Sequence, residues 1–363
     1  MQSLKSNALE PTAAELAQLP IGQRFAKLLP VYGLPVLAVA LIVLFSLLFP
    51  DTFPTEANFS AIIDNKAVIA LLSLAVLCPM ITGKIDLTIG YGIVLWHIMA
   101  ISLQVRFGVP WFAAVAIVLL AGVGLGLLNG LLVEIAMIDS FIATLGVGTV
   151  LYAIALWHTG GQQIVGDLSP AFTAIDTLFV GPLPITTFYI VGLGVVQWLV
   201  FEHTPFGRAL YAIGANPRAA LLNGIPVRRY VILGFVASGL LTAAAGVVLA
   251  AKLQIGQASV GLDYLLPALV GVFLGSTTIK PGRVNVWGTL VAVVVLAVGI
   301  SGIQEFGADF YVEPLFNGAT LLVSIAIAGY AQRRSNSANR KPAGSPRSAI
   351  DMAAPVTVNG DEI

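Results

Sequence analysis

The sequence has little charge and almost no cysteine. Charged residues make up only 10% of its 363 residues, against about 25% in an ordinary soluble domain, and 58% of the chain is hydrophobic. The single cysteine, Cys78, lies within an apolar run, so no disulfide framework exists and a small buried side chain is its expected role. Together these scarcities exclude a water-soluble fold.

The sequence also lacks the motifs of a catalytic or nucleic-acid-binding protein. No G-x-x-x-x-G-K-[ST] loop is present to hold a nucleotide, and His97, His158 and His203 show no metal-ligand spacing. Basic and acidic residues balance at 18 each, so no excess positive charge points to a nucleic acid. We therefore expect no catalytic site, no metal, no cofactor and no nucleic-acid partner in this chain.

What the sequence does have is a series of long apolar runs, each suited to crossing a bilayer as a helix of about 20 residues. They predict an all-α polytopic membrane protein with about ten transmembrane helices. The predicted spans cover approximately 30–49, 61–82, 86–105, 111–136, 141–158, 185–201, 230–251, 264–278, 286–303 and 311–330. Many glycines lie in these spans, and small residues let helices approach closely in lipid.

Three regions follow from this pattern. Residues 1–29 are a polar N-terminal segment, and the long apolar run behind them has no cleavage site, so we expect an anchor and not a removed signal. Residues 30–330 are the membrane domain. Residues 331–363 are rich in Ser, Asn, Ala, Pro and Arg and are predicted to be a disordered tail.

The positive charges orient the chain. With both termini cytoplasmic, fifteen Lys and Arg residues lie on the inner side and three, Lys66, Arg106 and Lys252, on the outer side. Without the tail the ratio is ten to three, so the positive-inside rule still places the termini in the cytoplasm. Ten spans are compatible with two inverted halves of five, although the two halves show no self-similarity in sequence.

The longest polar interruption, residues 203–229, is predicted to dock a cytosolic partner. It carries Arg208 and three further arginines, and no acid. Within it, Asn216 is a favourable N-cap and Pro217 a favourable first helical residue, while Gly224 is a typical residue just beyond a helix. A short capped helix over 217–223 follows from this pattern.

Two other inner breaks contain charge. The segment TGKIDLTIG, residues 82–90, places Asp86 before the third span, where a cap role and a transport-pathway role are equally compatible. The segment GSTTIKPGRVNVWGT, residues 275–289, holds Lys280 and Arg283, whose ordinary role is to anchor the interface. Because the spans hold no chain of Asp, Glu and His, a proton-coupled carrier is disfavoured, and energy would come from a separate ATPase.

Four segments in order resemble one known family. They are GKIDLTIG, FIATLGVGTVLYAIALWHTGGQQI, TPFGRALYAIGANPRAALLNGI and LGSTTIKPGRVNVWGTL. The chain looks like the permease subunit of a ribose-type ABC importer, the class that takes up monosaccharides and related polyols. This resemblance implies a location in a bacterial inner membrane and two permease copies, either a homodimer or a pair of different permeases. It also implies cytosolic ATP-binding subunits that hold ATP and Mg, and a periplasmic or extracellular sugar-binding protein.

The resemblance also implies which residues couple the permease to its ATPase. The third segment corresponds to the family's cytoplasmic contact loop. The implied contact residues are Gly214, Asn216, Pro217, Arg218, Ala219, Ala220, Leu222 and Gly224.

Several positions depart from the family pattern. Lys84 replaces a glycine, Arg218 stands where Glu is frequent, and Leu221 where Arg is frequent, which suggests a dedicated ATPase. The remaining departures are Tyr152, Ala153, Ser276, Pro281, Val284 and Asn285. The change at Tyr152 leaves the sugar undefined.

The implied mechanism is alternating access, in which a neutral hydroxyl-rich substrate passes polar and aromatic groups. The candidate pathway residues are Asp86, Asn129, Thr144, Tyr152 and Gln162. A branched-chain amino-acid ABC permease and a stand-alone secondary carrier are the alternatives; a membrane-embedded enzyme is disfavoured by the missing catalytic groups.

Overall fold

A computed structural model describes the backbone of residues 21–309 and 311–339, and the side chains of 31–309 and 311–326. The helices are α1 (Ile21–Leu48), α2 (Glu56–Met80), α3 (Thr88–Val105), α4 (Trp111–Glu134), α5 (Ser140–Thr159), α6 (Pro170–Thr177), α7 (Ile185–Trp198), α8 (Pro205–Ala215), α9 (Pro217–Leu222), α10 (Val227–Leu253), α11 (Leu265–Gly275), α12 (Val286–Glu305) and α13 (Val312–Asn339). A two-stranded antiparallel hairpin, β1 (Phe179–Val180) and β2 (Leu183–Pro184), precedes α7.

The described elements form an all-α polytopic membrane protein, as predicted. Eight helices are long and apolar enough to cross a membrane, namely α2 to α5, α10, α12, the apolar part of α1, and α7 with the π-turn that follows it. Two shorter apolar segments, Leu262–Gly275 and Val312–Ala326, occupy the positions of the eighth and tenth predicted spans. The first of these segments follows Gly261, whose φ of 128° lies outside the helical range.

The loops alternate between two ends of the helix bundle. Lys84, in the loop after α2, pairs with Glu134 at the end of α4 at 3.5 Å, and Lys280, in the loop after α11, pairs with Glu202 in the π-turn after α7. We call this end, with its loops 81–87, 135–139, 204–226 and 276–285, the basic end. The side of the membrane on which it lies, and the inverted-repeat relation, stay predictions.

The other end, which we call the opposite end, is joined by its own contacts. Lys252 at the end of α10 pairs with Asp64 in α2, and Ile164 pairs with Gly256 in an isolated β-bridge. Arg106, just after α3, donates to the carbonyl of His158 near the end of α5 at 2.8 Å. The opposite end therefore joins the loops that the sequence assigned to the outer side.

The centre of the bundle is α10, which packs on α2, α3 and α4. Its contact with α4 needs glycine, because a Cβ at Gly122 or Gly126 would overlap the backbone carbonyl of Gly239 or Phe235. Gly130 lies one turn further on, against Ile232. The close glycine packing expected from the sequence is thus confirmed along one face of α4, where helices approach without side chains between them.

The chain ends differ from the predicted boundaries. Helix α1 begins at Ile21, ahead of the expected start near residue 30, and α13 runs to Asn339, nine residues into the segment predicted as disordered. Residues 331–339 contain neither Gly nor Pro, the two residues that most oppose a helix. Residues 1–20 and 340–363 of the predicted terminal segments lie outside the described residues.

Candidate functional site

The predicted short helix at the basic end is present, and its capping is the one expected. The Asn216 side chain accepts a hydrogen bond from the Ala219 N–H at 3.1 Å, and α9 begins at Pro217. Gly224 has a φ of 80°, the left-handed conformation that favours glycine after a helix. The preceding helix α8 is capped in the same way by Thr204, whose hydroxyl accepts from the Gly207 N–H at 3.3 Å.

Helix α9 presents leucines to the exterior. Leu221 is 63% exposed and Leu222 is 89% exposed. Ala220 instead packs inward with Ile213 and Phe235 and is only 4% exposed. Ala220 therefore anchors α9 to this chain, and its part in the implied contact set stays a prediction. Leu221, noted from the sequence only as a departure, lies on the exposed face.

Gly214 seats α8 on the end of α2. A Cβ at this position would overlap the carbonyl oxygen of Ile81, the first residue after α2. No side chain fits there unless the backbone moves, so the glycine fixes how closely the two segments approach. The end of α8 therefore lies directly against the backbone that leads into α3.

A cleft of about 620 Å³ opens beside α8 and is lined by residues of α8, Gly83 and the loop before α12. Tyr211 donates to the Val284 carbonyl oxygen at 3.1 Å and lies 3.2 Å from Glu202. Burial, followed by the charge of Glu202, raises the pKa of the Tyr211 hydroxyl above its ordinary range. The guanidinium of Arg283 lies 4.2 Å from the centre of the Tyr211 ring, a cation–π geometry. These contacts hold α8 against the loop before α12.

The four arginines of the basic loop take no part in this network of contacts around Tyr211. Arg208 lines the cleft, and Arg218, Arg228 and Arg229 are exposed. Within the part of the chain that the structure describes, none of these four side chains has an acidic or hydrogen-bonding partner.

Three of the five candidate pathway residues meet at the break between α2 and α3. The Asp86 carboxylate accepts from Ser238 of α10 at 2.7 Å, from the Thr88 N–H at 3.0 Å and from the Thr88 hydroxyl. Asn129 of α4 donates to the Thr88 hydroxyl oxygen at 2.9 Å. The hydroxyl of Thr144 on α5 accepts from the Leu87 N–H at 3.0 Å.

This network joins the break to α4, α5 and α10. Asp86, Asn129 and Thr144 are at most 1% exposed, and both carboxylate oxygens of Asp86 are bonded within the chain. Of the two roles left open for Asp86, the structure favours holding the start of α3. The other two candidates lie elsewhere: Tyr152 is half-buried against other side chains of the core, and Gln162 is exposed beyond α5.

Lys84 connects the break between α2 and α3 to the end of α4 as well. Its ammonium lies 3.5 Å from Glu134, which is 8% exposed. The sequence marked Lys84 only as a replacement for glycine and Glu134 only as an acid without basic neighbours. Opposite charges in two loops of the same predicted side were the signal that these residues pair.

Comparison with known proteins assigns the chain to a family. A sequence model of the family described as "Branched-chain amino acid transport system / permease component" matches residues 58–327. The chain belongs to this family. The match includes α9, the break and every element between α3 and α12. That the chain holds no catalytic site, metal or cofactor of its own stays a prediction.

Individual relatives are similar over most of their length. A ribose import permease protein of Bacillus subtilis is 30% identical over 302 residues, covering 83% of this chain and 92% of that protein. The ribose import permease protein of Haemophilus influenzae is 29% identical over 295 residues, covering 80% and 91%. An autoinducer 2 import system permease protein of Enterobacter sp. is 31% identical over 298 residues, covering 78% and 89%. No solved structure matches the chain.

Proposed function

We propose that this chain is the membrane-spanning permease subunit of an ATP-driven importer, and that it moves a monosaccharide or related polyol inward by alternating access. The observation that carries the proposal is the capped helix α9, which exposes two adjacent leucines and stands on a helix seated by Gly214 against Ile81. Exposed leucines beyond the apolar spans are costly in water, and a docked partner removes that cost.

The partner that fits this helix is a separate ATP-binding subunit, which would supply ATP and Mg. When the ATPases close, they displace α9 and α8. The contact between Gly214 and Ile81 passes the displacement to the break. Asp86, Leu87 and Lys84 pass it on to α10, α5 and α4, so several spans tilt together. One polar break thus converts a push on a single loop into a change of the whole bundle.

The remaining partners follow from the orientation. The basic end lies in the cytosol of a bacterial inner membrane, in keeping with the positive-inside rule. A solute-binding protein delivers the substrate to the opposite end, and two copies of the permease form the transporter. The ribose import permeases among the relatives support a sugar as the substrate.

A second candidate substrate is a branched-chain amino acid, because the family carries that description. A stand-alone carrier is the third possibility, and it needs no partner at α9. The three hypotheses differ in what is transported and in whether ATP is needed.

Proteoliposomes separate them. The chain is reconstituted with a candidate ATPase and binding protein from the same genome, and uptake of labelled pentoses, hexoses, polyols and leucine is measured with and without ATP. ATP-dependent uptake of a sugar or polyol is expected. Uptake of leucine in its place, or uptake that needs no ATP, would overturn the proposal.

Variants of α9 test whether its two exposed leucines dock the ATPase. Leu221→Ser with Leu222→Ser should reduce uptake and association of the ATPase at least tenfold, since burial of two leucines is lost, whereas the conservative pair Leu221→Met and Leu222→Met should retain both. Because both side chains are exposed in this chain, membrane insertion should be unchanged. Normal coupling in the serine pair would count against docking at α9.

A further inference from the structure

Two adjoining clefts, each with polar side chains in its walls, open toward the opposite end of the bundle, far from α9. One, of about 600 Å³, lies between α2, the start of α11 and α13. The other, of about 500 Å³, lies between α2, α12 and α13. They share Asn65, Lys66 and Glu313, so they adjoin at the Lys66–Glu313 ion pair, and we call the two clefts together the recess. Both volumes fall in the range of about 300 to 1,000 Å³ that is typical of small-molecule sites.

The backbone explains why a recess exists here. Helix α11 and the 3₁₀ turn before it span only fourteen residues, Leu262–Gly275, or roughly 20 Å, whereas the apolar part of a bilayer is about 30 Å thick. The irregular backbone before this segment must therefore reach membrane depth. Such backbone is tolerated there only where protein covers it or where it lines a water-filled cavity, and Val260 to Tyr264 line this one.

The recess holds polar groups that the chain itself does not satisfy. Asn317 is 3% exposed, lines the larger cleft, and its side-chain oxygen has no hydrogen-bond partner among the described residues. An orphaned amide oxygen in a buried position costs about 1 to 3 kcal/mol, so a partner from outside would stabilise it. Gln304 and Asp263, which line the smaller and the larger cleft, are exposed and have no side-chain hydrogen bond within that same portion of the chain.

The charges in the recess select the kind of ligand. Lys66 is its basic residue and is already paired with Glu313, while Asp263 and Glu305 add two further carboxylates. Because carboxylates outnumber ammonium groups here, the recess repels anions. Amide side chains offer both donors and acceptors, which suits hydroxyl groups, and Tyr264 and Pro267 supply apolar surface for carbon faces.

We propose that this recess is an outer binding site for a neutral polyhydroxy molecule, which Asn317 and Gln304 hold by hydrogen bonds to its hydroxyl groups. The inference rests on the proposed function and deepens it, because it places the sugar or polyol inside each permease before translocation. An acidic or phosphorylated ligand is excluded by the carboxylates, and a ligand without hydroxyl groups leaves the amides unpaired.

The direct test uses the full-length permease in lipid nanodiscs, without ATPase or binding protein. Saturation-transfer NMR is recorded with ribose, ribitol, a panel of other pentoses and hexoses, ribose 5-phosphate and leucine. At least one neutral polyol should bind, and ribose 5-phosphate and leucine should not. Asn317→Leu and Gln304→Leu should each weaken binding at least tenfold. Because Gln304 is exposed, its replacement leaves the fold intact even if Asn317→Leu disturbs packing.

Gln163→Leu is the matched control. It removes an amide in the loop after α5, at the same end of the bundle, where Gln163 donates to Gln257 at 2.7 Å outside both clefts, so it should leave binding unchanged. No binding of any polyol to the permease alone, or equal binding by wild type and all variants, would overturn the inference.

Uptake by the complete transporter separates this inference from the proposed function. If ATP-driven sugar uptake is normal in both cleft variants, the recess is not a substrate site and the proposed function stands. If the wild-type transporter takes up no sugar or polyol, the proposed function itself fails.

Discussion

The two ends of the bundle treat their positive charges differently. Toward the opposite end, Lys66, Arg106 and Lys252 all have partners within the chain. At the basic end, Lys84 and Lys280 are paired, but within the described structure the four loop arginines have no partner. Buried or half-buried charge must be compensated where it lies, whereas exposed charge is solvated. The paired charges therefore stabilise contacts between helices of this chain. The unpaired arginines are available to bind groups of another molecule.

The ends differ in the same way in their apolar and polar surfaces. The basic end exposes Leu221 and Leu222 on a protruding helix, while the opposite end is hollowed into two polar clefts. A protruding apolar helix fits a groove on another protein. A polar recess fits a small hydrophilic ligand. This difference supports the two proposals made above, that force is applied at the basic end and that the substrate is received at the opposite end.

The largest expected effect is at the contact between Gly214 and Ile81, which we propose transmits the force. Gly214→Trp should abolish ATP-driven uptake, because any side chain at this position overlaps the Ile81 carbonyl oxygen. Gly124→Trp is the control, since Gly124 has open space around it. Uptake is measured in proteoliposomes alongside the amount of inserted protein. Retained uptake in Gly214→Trp would show that α8 need not press on the end of α2.

A paired charge of the opposite end should matter for stability. Lys252 donates to both the carboxylate and the carbonyl oxygen of Asp64. Lys252→Met should lower the free energy of unfolding by about 1 to 2 kcal/mol, between the values for exposed and buried pairs, since it leaves a half-buried carboxylate without its partner. Thermal unfolding in detergent measures this. Adding Asp64→Asn should recover much of the loss, and no loss in the single variant would mean that the pair is solvated.

Asp176, on α6, should make the stability of the same end depend on pH. Burial raises the pKa of its carboxyl from 3.8 to about 6, with Lys252 opposing the rise. The folded protein then holds a proton that the unfolded chain releases between about pH 4 and pH 6, so stability falls as pH rises through that window. The expected loss is about 3 kcal/mol.

Asp176→Asn should remove this pH dependence and stabilise the protein at pH 7. Unfolding curves between pH 4.5 and 7.5 provide the measurement, with Asp309→Asn as an exposed-acid control. If wild type and Asp176→Asn show the same slope against pH, the carboxyl does not titrate in this window.

The smallest effect on stability is expected at the basic loop. Arg218 is exposed and, among the described residues, unpaired, so Arg218→Met should change the free energy of unfolding by less than about 0.5 kcal/mol. Its effect should appear instead as weaker association of the ATPase. A stability loss above about 1 kcal/mol would show that Arg218 has a partner within this chain, and would remove the contrast between the two ends.

Local features of the candidate site could be predicted from the sequence. The cap at Asn216 and the stop at Gly224 depend on residues within a few positions of each other, so their letters are sufficient. The closeness of Asp86 to the start of α3 is local in the same sense. By contrast, Ser238 lies 152 residues from Asp86, and no local sequence pattern predicts the hydrogen bond between them.

The sequence by itself determined that this protein is a polytopic helical membrane protein with a capped helix on a basic loop, because apolar length, charge distribution and capping are properties of neighbouring residues. Only the tertiary structure decided that Ala220 turns inward, that Lys84 pairs with Glu134, and that a polar recess opens beside Asn317. Each of these depends on how separate helices pack, and Lys66 and Glu313, which join two walls of the recess, are 247 residues apart. Packing between such distant segments is fixed by the whole bundle and not by any local run of residues.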